Sequence, residues 1–295
     1  MKVHNLGSIN IDHIFRLTHL PEPGETLQAS AYSAELGGKG ANQSLALAMG
    51  GAEVSHIGAM AAMDGHYIQP LIDAGVDMSQ TDKTRPTTGS AVVMVDETSG
   101  ENQIILNPAA NREISELQIN EALSLAAPGD WVLTQNETNN SEQFLRRAKS
   151  QGLNVCYSAA PFVAQTTISI LPLTDLLIVN HLEAQALAST LNCAVEEIPV
   201  PQMVITLGAQ GARYIGPAGD WTLPSPKVDA VDTTGAGDTF LGFFLAALTQ
   251  GEAVQEAMLL AVNAAALQVT RKGTAEAIPS RAQVIEFMNK PSVAQ

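Results

Sequence analysis

The stretch that most constrains this chain is Val228–Leu248, VDAVDTTGAGDTFLGFFLAAL, where a run of Asp, Thr and Gly leads straight into an apolar segment. The apolar side chains recur at the spacing of one helical face, at Phe240, Phe243, Phe244, Ala247 and Leu248. The pattern predicts a buried helix that begins near Gly237 or Asp238, directly after a glycine-rich loop.

The start of this helix has the properties of an anion site. Gly235 and Gly237 lack a Cβ, so the backbone there can turn sharply and approach a ligand closely. Unpaired N–H groups and the helix dipole favour negative charge at a helix N-terminus. Asp238 adds a carboxylate, and a base beside a bound phosphate suits phosphoryl transfer. The alternative is that Asp238 is a helix cap and the glycines form a tight turn.

A second glycine-rich stretch, GGKGANQ at Gly37–Gln43, precedes a predicted helix over Ala41–Met49. Its spacing is not that of a Walker A loop. The glycines allow close backbone approach to a small polar ligand, to which Lys39 and Asn42 would donate hydrogen bonds. The alternative for Lys39 is a solvated surface charge.

Two polar residues, Asn10 and Asp12, follow the predicted first strand, Lys2–Leu6. Open α/β sheets bind ligands at the carboxyl ends of their strands. In an extended segment these two side chains point the same way, so they can hold neighbouring hydroxyls of a sugar. The alternative is a turn in which their side chains bond the local backbone.

The remaining pattern alternates short apolar strands with helices. Further strands are predicted at Glu53–Gly58, Trp131–Thr134, Leu153–Tyr157, Leu176–Val179 and Met203–Thr206. Helices are predicted at Glu116–Ala126, Ser141–Gln151, Leu182–Leu191 and Glu252–Val269. This order indicates an α/β fold with a mostly parallel central sheet, covered by helices on both faces.

DTTGAGDTF and GGKGANQ resemble the C-terminal and N-terminal signatures of the ribokinase-like carbohydrate kinases, and GSINIDHI resembles their opening segment. The resemblance extends from Lys2 to about Ile278. It implies that Asp238 is the catalytic base. It also implies that the backbone of Gly235, Ala236 and Gly237, with the Asp238 amide, forms the hole for the transferred phosphate.

The same resemblance implies the two substrate sites. The sugar would be bound by Asn10, Asp12, Gly38, Lys39, Asn42, Glu137 and Asp238. ATP would be bound by Asn180, Glu183, Thr206, Leu207, Gly208, Gly211, Gly237 and Asn263. Three alternatives stay open. Glu137 could be a solvated loop residue, and Asn180 and Glu183 could form a helix capping box. Leu207–Gly211, which reads LGAQG, could be an ordinary hairpin turn.

The resemblance further implies two metal ions. Glu183 would contact Mg²⁺ through a bound water. Potassium would be held by a set comprising Asp232, Thr234, Gln268, Arg271 and Gly273. Ala277 departs from the serine or similar ligand usual in the family, which puts potassium activation in question. The alternative is a loop whose basic side chains only complement the end of a helix.

The resemblance also implies that residues 1–295 form a single kinase domain with a discontinuous β lid, approximately 11–36 and 88–112. The lid comprises Glu25–Leu36 and the strand pair Ser90–Val95 and Asn102–Leu106. A lid excludes water, which would otherwise take the phosphate from ATP. An open edge of such a sheet favours pairing between subunits, so a homodimer through the lid is expected.

Composition narrows the partners. Fifteen basic against thirty acidic side chains leave a net charge of −15, which argues against nucleic-acid binding. No stretch is apolar enough to span a membrane or to serve as a signal peptide, so we expect a cytoplasmic protein. Cys156 and Cys193 lie in apolar stretches, and we expect both to be buried free thiols.

Together these features predict an ATP-dependent sugar kinase acting on a primary hydroxyl, with ribose converted to ribose 5-phosphate. Alternative substrates are fructose, 2-keto-3-deoxygluconate, deoxyribose or a nucleoside. A non-catalytic sugar-binding regulatory protein is a further alternative. A dinucleotide-dependent oxidoreductase is disfavoured because no GxGxxG follows the first strand. A hydrolase using Asp12 and Asp238 would leave the anion site unexplained.

Overall fold

The computed structural model describes residues 1–290, which contain thirteen strands and nine α-helices. The strands are β1 (Lys2–Leu6), β2 (Asn10–Leu17), β3 (Ala31–Gly37), β4 (Glu53–Ala59), β5 (Thr81–Asp82), β6 (Gly89–Asp96), β7 (Asn102–Asn107), β8 (Trp131–Thr134), β9 (Asn154–Ser158), β10 (Leu176–Asn180), β11 (Gln202–Thr206), β12 (Ala212–Gly216) and β13 (Gly219–Leu223). The α-helices are α1 (Lys39–Met49), α2 (Gln69–Asp73), α3 (Glu116–Ser124), α4 (Ser141–Ser150), α5 (Ala164–Ile170), α6 (His181–Leu191), α7 (Ala236–Thr249), α8 (Val254–Gln268) and α9 (Arg281–Asn289).

The larger sheet has nine strands in the order β13-β12-β11-β10-β9-β8-β1-β4-β5. Every pairing from β11 to β5 is parallel, and only β12 and β13 run antiparallel to their neighbours. Helices cover both faces: one core contains Leu47 of α1 and Phe244 of α7, the other Phe144 of α4 and Leu187 of α6. The predicted α/β class with a mostly parallel sheet is confirmed.

The second sheet has four strands in the order β3-β2-β6-β7. These strands fall in the two segments predicted for the lid, approximately 11–36 and 88–112, except that β2 begins one residue earlier and β3 ends one residue later. Asn10 and Asp12 are on β2 of this sheet, where they pair with Gly37 and Glu35 of β3. The predicted extended segment after the first strand is thus β2, a strand of the small sheet. The extended run predicted from Glu25 begins as a strand only at Ala31.

Helix α7 begins at Ala236, slightly earlier than predicted, because Gly235 before it adopts φ +75°. L-residues with a side chain rarely adopt this left-handed conformation, which redirects the backbone into the first turn. Farther along α7, Gly242 packs directly against Ala46 of α1, and a Cβ at Gly242 would overlap that side chain. This close packing brings the two glycine-rich motifs, far apart in the sequence, to one end of the molecule.

Both cysteines are free thiols. Cys156 is buried, as predicted, but Cys193 is partly exposed, because it follows the end of α6 rather than lying within the core. Within residues 1–290, no helix is both long and apolar enough to cross a membrane.

Candidate active site

A cleft lies where α1, α6 and α7 meet the ends of β9, β10 and β11. The side chains and backbone that line it are Lys39, Ser158, Ala160, Ile178, Val179, Asn180, Glu183, Thr206, Thr233, Gly235, Ala236, Gly237, Asp238 and Leu241. A second depression, between β13 and α8, is lined by Trp221, Leu223, Gln255, Glu256 and Leu259. This second lining includes no lysine and no glycine backbone, both of which line the cleft, so we place the chemistry in the cleft.

The first turn of α7 presents free amides to the cleft. The Ala236 N–H donates to the Thr233 carbonyl at 3.3 Å. The N–H groups of Gly237 and Asp238 have no acceptor among residues 1–290. A Cβ built on Gly237 would meet no atom within 4 Å, so there is open space in front of this turn. Two unpaired donors at a helix N-terminus that lines a cleft can hold an anionic oxygen.

Asp238 is buried in the first turn of α7, with 8% of its surface exposed. Its Oδ1 accepts a hydrogen bond from Gln43 Nε2 at 2.7 Å, and its Oδ2 is 3.4 Å from Asn42 Nδ2. Its hydrogen-bond donors are side-chain amides and not backbone N–H groups, so the capping alternative does not hold. Burial raises the pKa of the Asp238 carboxyl, against the opposing effects of Lys39 and Gln43. A raised pKa makes the carboxylate a better proton acceptor.

Lys39 is the first residue of α1, after Gly38 with φ +89°. Asp238 raises the pKa of the Lys39 ammonium, with smaller contributions from Glu137 and Glu183. Lys39 is therefore a cation within the field of carboxylates from three different elements. This arrangement excludes the alternative of an isolated, solvated surface charge.

The lid side of the site holds Asn10 and Asp12. Asn111 Nδ2 donates to Asn10 Oδ1 at 2.7 Å, which orients the Asn10 amide. Burial raises the pKa of Asp12 to about 7, and the nearby carboxylates of Glu137 and Glu35 add to this rise. A Cβ at Gly37 would overlap the Asp12 carboxylate, so glycine is needed where β3 passes over it.

Asn42 and Glu137 join the lid side to α1. Asn42 is buried, and its Oδ1 has no hydrogen-bond partner among residues 1–290, which leaves it available to a ligand. Glu137 Oε2 accepts hydrogen bonds from the Ser8 hydroxyl and, at 3.0 Å, from the Lys39 N–H. Glu137 is thus held at the start of α1 and is not a free loop side chain.

Asn180 and Glu183 form the capping box of α6 and also line the cleft. Glu183 Oε2 accepts from the Asn180 N–H at 2.8 Å, and Asn180 Oδ1 accepts from the Glu183 N–H at 2.9 Å. One carboxylate oxygen of Glu183 and the amide nitrogen of Asn180 have no part in the box. The capping interpretation therefore holds, and these free atoms leave the functional interpretation open as a prediction.

The remaining predicted nucleotide residues are less directly placed. Thr206 lines the cleft, whereas Leu207, Gly208 and Gly211 form the turn between β11 and β12 and do not line it. Asn263 donates to the Leu259 carbonyl of its own helix at 2.8 Å and does not line the cleft either. Their contribution to ATP binding stays a prediction.

The predicted cation residues lie in two segments, one before α7 and one at and after the end of α8, which hydrogen bonds join. Asp232 accepts from the N–H groups of Thr234 at 2.9 Å and Gly273 at 3.2 Å. Gln268 is buried, and its Nε2 donates to the Thr234 carbonyl at 3.0 Å. The Gln268 carbonyl accepts from the Arg271 N–H at 2.8 Å. Several oxygens proposed for potassium thus already have donors from the protein.

Three side chains that were not predicted from the sequence donate hydrogen bonds to predicted site residues. Gln43 donates to the Asp238 carboxylate, Asn111 to Asn10, and Ser8 to Glu137. Gln43 stands next to Asn42 inside the GGKGANQ motif, so the motif itself was a signal. Ser8 likewise stands inside GSINIDHI. Asn111 had no comparable signal, because its partner Asn10 is distant in the sequence.

Residues 2–281 match the pfkB family carbohydrate kinases. The chain belongs to this family. As a pfkB carbohydrate kinase it is a phosphotransferase with an alcohol group as acceptor. Its curated relatives include the ribokinase of Haemophilus influenzae, with 33% identity over 96% of this chain and 97% of that protein. They also include the deoxyribokinase of Salmonella typhi, with 27% identity over 98% of this chain and 99% of that protein.

Solved structures agree with this membership. Arabidopsis thaliana ribokinase, complexed with ribose and ATP, superposes on this pfkB kinase with a TM-score of 0.85 and 27% identity. That alignment covers 98% of each chain. The predicted family and fold are therefore confirmed over nearly the whole length of the protein.

Proposed function

We propose that this pfkB kinase transfers the γ-phosphate of ATP to a primary hydroxyl of ribose, giving ribose 5-phosphate and ADP. One observation carries the proposal: the buried carboxylate of Asp238 stands on the same helical turn as the unpaired N–H groups of Gly237 and Asp238. A base and an anion site on one turn match the needs of phosphoryl transfer to an alcohol.

In the proposed reaction, Asp238 Oδ2 accepts the proton of the sugar hydroxyl as the hydroxyl oxygen bonds to the γ-phosphorus. The bond between that phosphorus and the β–γ bridging oxygen breaks, and ADP leaves. The amides at the start of α7 stabilise the developing negative charge. Asn10, Asp12, Lys39, Asn42 and Glu137 position the sugar, and in-line positioning of this kind can supply roughly 7–11 kcal/mol.

ATP would lie along the cleft beside Asn180, Glu183 and Thr206, with its phosphates toward α7. Magnesium would come with the nucleotide, since among residues 1–290 no group of three or more His, Cys, Asp or Glu could hold a metal. The donor set fits, because Mg²⁺ usually combines phosphates and waters with one or two carboxylates. Glu183 has one carboxylate oxygen outside the capping box for such a water. Bound Mg²⁺ would neutralise phosphate charge.

Potassium is proposed at the Asp232–Gly235 loop on the strength of the resemblance alone. The backbone carbonyls of Gln268, Arg271 and Gly273 would supply oxygens of the type that potassium prefers. The fit is incomplete, because the Gln268 side chain occupies the Thr234 carbonyl and Ala277 offers no side-chain oxygen. No step of the proposed reaction therefore depends on potassium.

We also propose a homodimer formed through the lid. Strand β7 is at the edge of the lid sheet, and Ile104, Ile105 and Leu106 on it are all more than half exposed. Apolar side chains on an unpaired edge strand favour pairing with another strand. A cytoplasmic location stays a prediction, supported by the need for ATP.

Deoxyribose is the second candidate substrate, since a deoxyribokinase is among the relatives. Ribose and deoxyribose differ by one hydroxyl, and a site that hydrogen-bonds a hydroxyl strongly disfavours the analogue lacking it. Asn10, whose Oδ1 accepts from Asn111, offers its amide N–H groups, and Asp12 offers an acceptor. These two neighbouring polar side chains favour ribose, which has an additional hydroxyl to bind.

The deciding experiment is a coupled assay of ADP release. Ribose, deoxyribose, fructose, 2-keto-3-deoxygluconate and nucleosides are compared, with and without K⁺. We expect the highest kcat/KM with ribose. The matched control is Asp238→Asn, which keeps the shape of the side chain but removes the base, and should lower kcat at least about a hundredfold. Higher kcat/KM with another substrate would reassign the specificity, and unchanged turnover in Asp238→Asn would remove the base.

A further inference from the structure

The Asp238 carboxylate is oriented by a side chain that does not line the cleft. Gln43, on α1, is 1% exposed, and its Nε2 donates to Asp238 Oδ1 at 2.7 Å. The other carboxylate oxygen, Oδ2, has only the long 3.4 Å contact from Asn42. One oxygen of the proposed base is thus firmly held, and the other is left for a substrate hydroxyl.

The Gln43 amide is in turn fixed by a second buried amide. Gln135 Nε2 donates to Gln43 Oε1 at 2.7 Å and to Asn5 Oδ1 at 2.9 Å. An ionised carboxylate can only accept, so Gln43 must turn its nitrogen to Asp238 and its oxygen to Gln135. Gln135 must then present its nitrogen. Each amide in the chain therefore has one permitted orientation.

From Gln135 and Asn5 the series of hydrogen-bonded side chains continues away from the cleft to a buried histidine. Asn5 Nδ2 donates to the Gly40 carbonyl and to Ser44 Oγ, each at 2.9 Å. Ser44 Oγ is 2.9 Å from His56 Nδ1. Burial lowers the pKa of His56 to about 4, so the imidazole is neutral at pH 7 and carries no competing charge. The chain thus joins β1, α1, β4 and the end of β8 behind the site.

We propose that Gln43, oriented by Gln135, is the positioning residue that holds Asp238 with one carboxylate oxygen toward the substrate. Gln43 is not a catalytic residue, because it acts only through Asp238. Its donated hydrogen bond also favours the ionised form of Asp238, against the burial that disfavours it. The catalytic consequence rests on the proposed function, whereas the effect on Asp238 itself does not.

The test compares Gln43→Met, which keeps the volume and removes the donor, with Gln135→Met, which removes only the outer support. For Gln43→Met we expect kcat to fall about ten- to a hundredfold, the fold-change that corresponds to losing a hydrogen bond to a charged group. KM for the sugar should stay within about twofold, and the acidic limb of the kcat profile should move to higher pH. Gln135→Met should change kcat in the same direction by less. The double variant should be no worse than Gln43→Met, because both act through one contact.

The matched control is Gln118→Met on α3. Gln118 Nε2 also donates two hydrogen bonds, to the carbonyls of Gly58 and Gln80, but does not line the cleft. Its loss should lower thermal stability without moving the pH profile. If Gln43→Met does not fold, Gln135→Met alone decides, and an unchanged kcat there would overturn the proposal.

A second readout needs no substrate. The titration of Asp238 is followed by ¹³C NMR of carboxyl-labelled protein, with Asp238→Asn to assign the resonance. We expect the Asp238 pKa in Gln43→Met to be higher than in the parent by about one to two pH units. An unchanged titration would overturn the role of Gln43, whatever the substrate. Failure of the parent to phosphorylate any sugar would instead refute the proposed function and leave this result standing.

Discussion

At the scale of single residues, the site is dominated by carboxylates whose surroundings differ. Asp238 is buried among amides and feels the charge of Lys39, whereas Asp12 shares its surroundings with two more carboxylates, Glu35 and Glu137. Burial and like charges both disfavour ionisation, so Asp12 has a pKa of about 7. The ionisation of Asp12 therefore changes near physiological pH.

We predict that sugar binding weakens as the pH falls below 7. The ionised Asp12 accepts hydrogen bonds from hydroxyls, and its fraction falls about tenfold between pH 8 and pH 6 for a pKa of about 7. KM for the sugar should rise by a similar factor, as measured by steady-state kinetics in constant-ionic-strength buffers. Asp12→Asn should raise KM and flatten this dependence, and a pH-independent KM in the parent would contradict the role of Asp12.

The effect of Asp12 on stability has the opposite sign. Its pKa is higher in the folded protein than in the unfolded chain, so between about pH 4 and pH 7 the folded state binds more protons. The contribution of Asp12 to the free energy of unfolding therefore declines as the pH rises through 7. The ionised form of Asp12 thus lowers the free energy of unfolding, although it is the form that we expect to bind the sugar.

At the scale of elements, the start of α7 depends on one backbone conformation. Gly235 has φ +75°, and a Cβ there would lie 2.6 Å from Thr274 Cγ2 in the loop after α8. The conformation and the contact both require glycine. The next residues carry the free amides, so a shift at Gly235 would misplace the anion site.

We predict that Gly235→Ala lowers both stability and kcat. The left-handed conformation costs roughly 1–2 kcal/mol for a residue with a Cβ, and the contact with Thr274 adds a displacement. We expect at least a tenfold loss of kcat, since catalytic geometry tolerates little movement. The matched control is Gly251→Ala, with φ +82° and no neighbour within 4 Å of the added Cβ.

Both variants should show a lower melting temperature by calorimetry, but only Gly235→Ala should lose turnover. Equal kcat in the two variants would show that the backbone at Gly235 does not position the anion site.

At the scale of the whole molecule, the two sheets carry different residues of the candidate site. The large sheet and its helices hold the helix starts at the end of parallel strands, where open α/β sheets place ligands. The small sheet carries Asp12 within the field of Glu137, whose charge also acts on Lys39 and Asp238 of the cleft. The contact of Gly242 with Ala46 fixes α7 against α1, and so fixes the position of Asp238, the proposed base, relative to Lys39 and Asn42 on α1.

We predict that the protein is a dimer in solution and that Ile105→Asp converts it to a monomer. Ile105 is 61% exposed on the edge strand of the lid, and a charge there would have to be buried on pairing. Size-exclusion chromatography with light scattering gives the mass of each form. Lys272→Ala, a change of surface charge in the loop after α8, is the control and should stay dimeric. A monomeric parent protein would contradict the dimer.

The family, the alternation of strands and helices, and the two glycine-rich motifs of the site could all be predicted from the sequence. These follow from local patterns: periodic burial predicts elements, and runs of glycine next to polar residues predict ligand-binding turns. The functional roles of individual residues stay predictions, although Lys39, Glu137 and Asp238 now lie close enough to influence one another's ionisation.

The groups that orient Asp238 and Asn10 are visible only in the folded protein. Gln43 reaches Asp238, Gln135 reaches Gln43, and Asn111 reaches Asn10 only after helices and strands distant in the sequence have packed together. A hydrogen bond depends on the positions of two atoms within a few tenths of an ångström. No local pattern encodes such a distance, because it is set by the packing of α1 against α7 and of the lid against the large sheet.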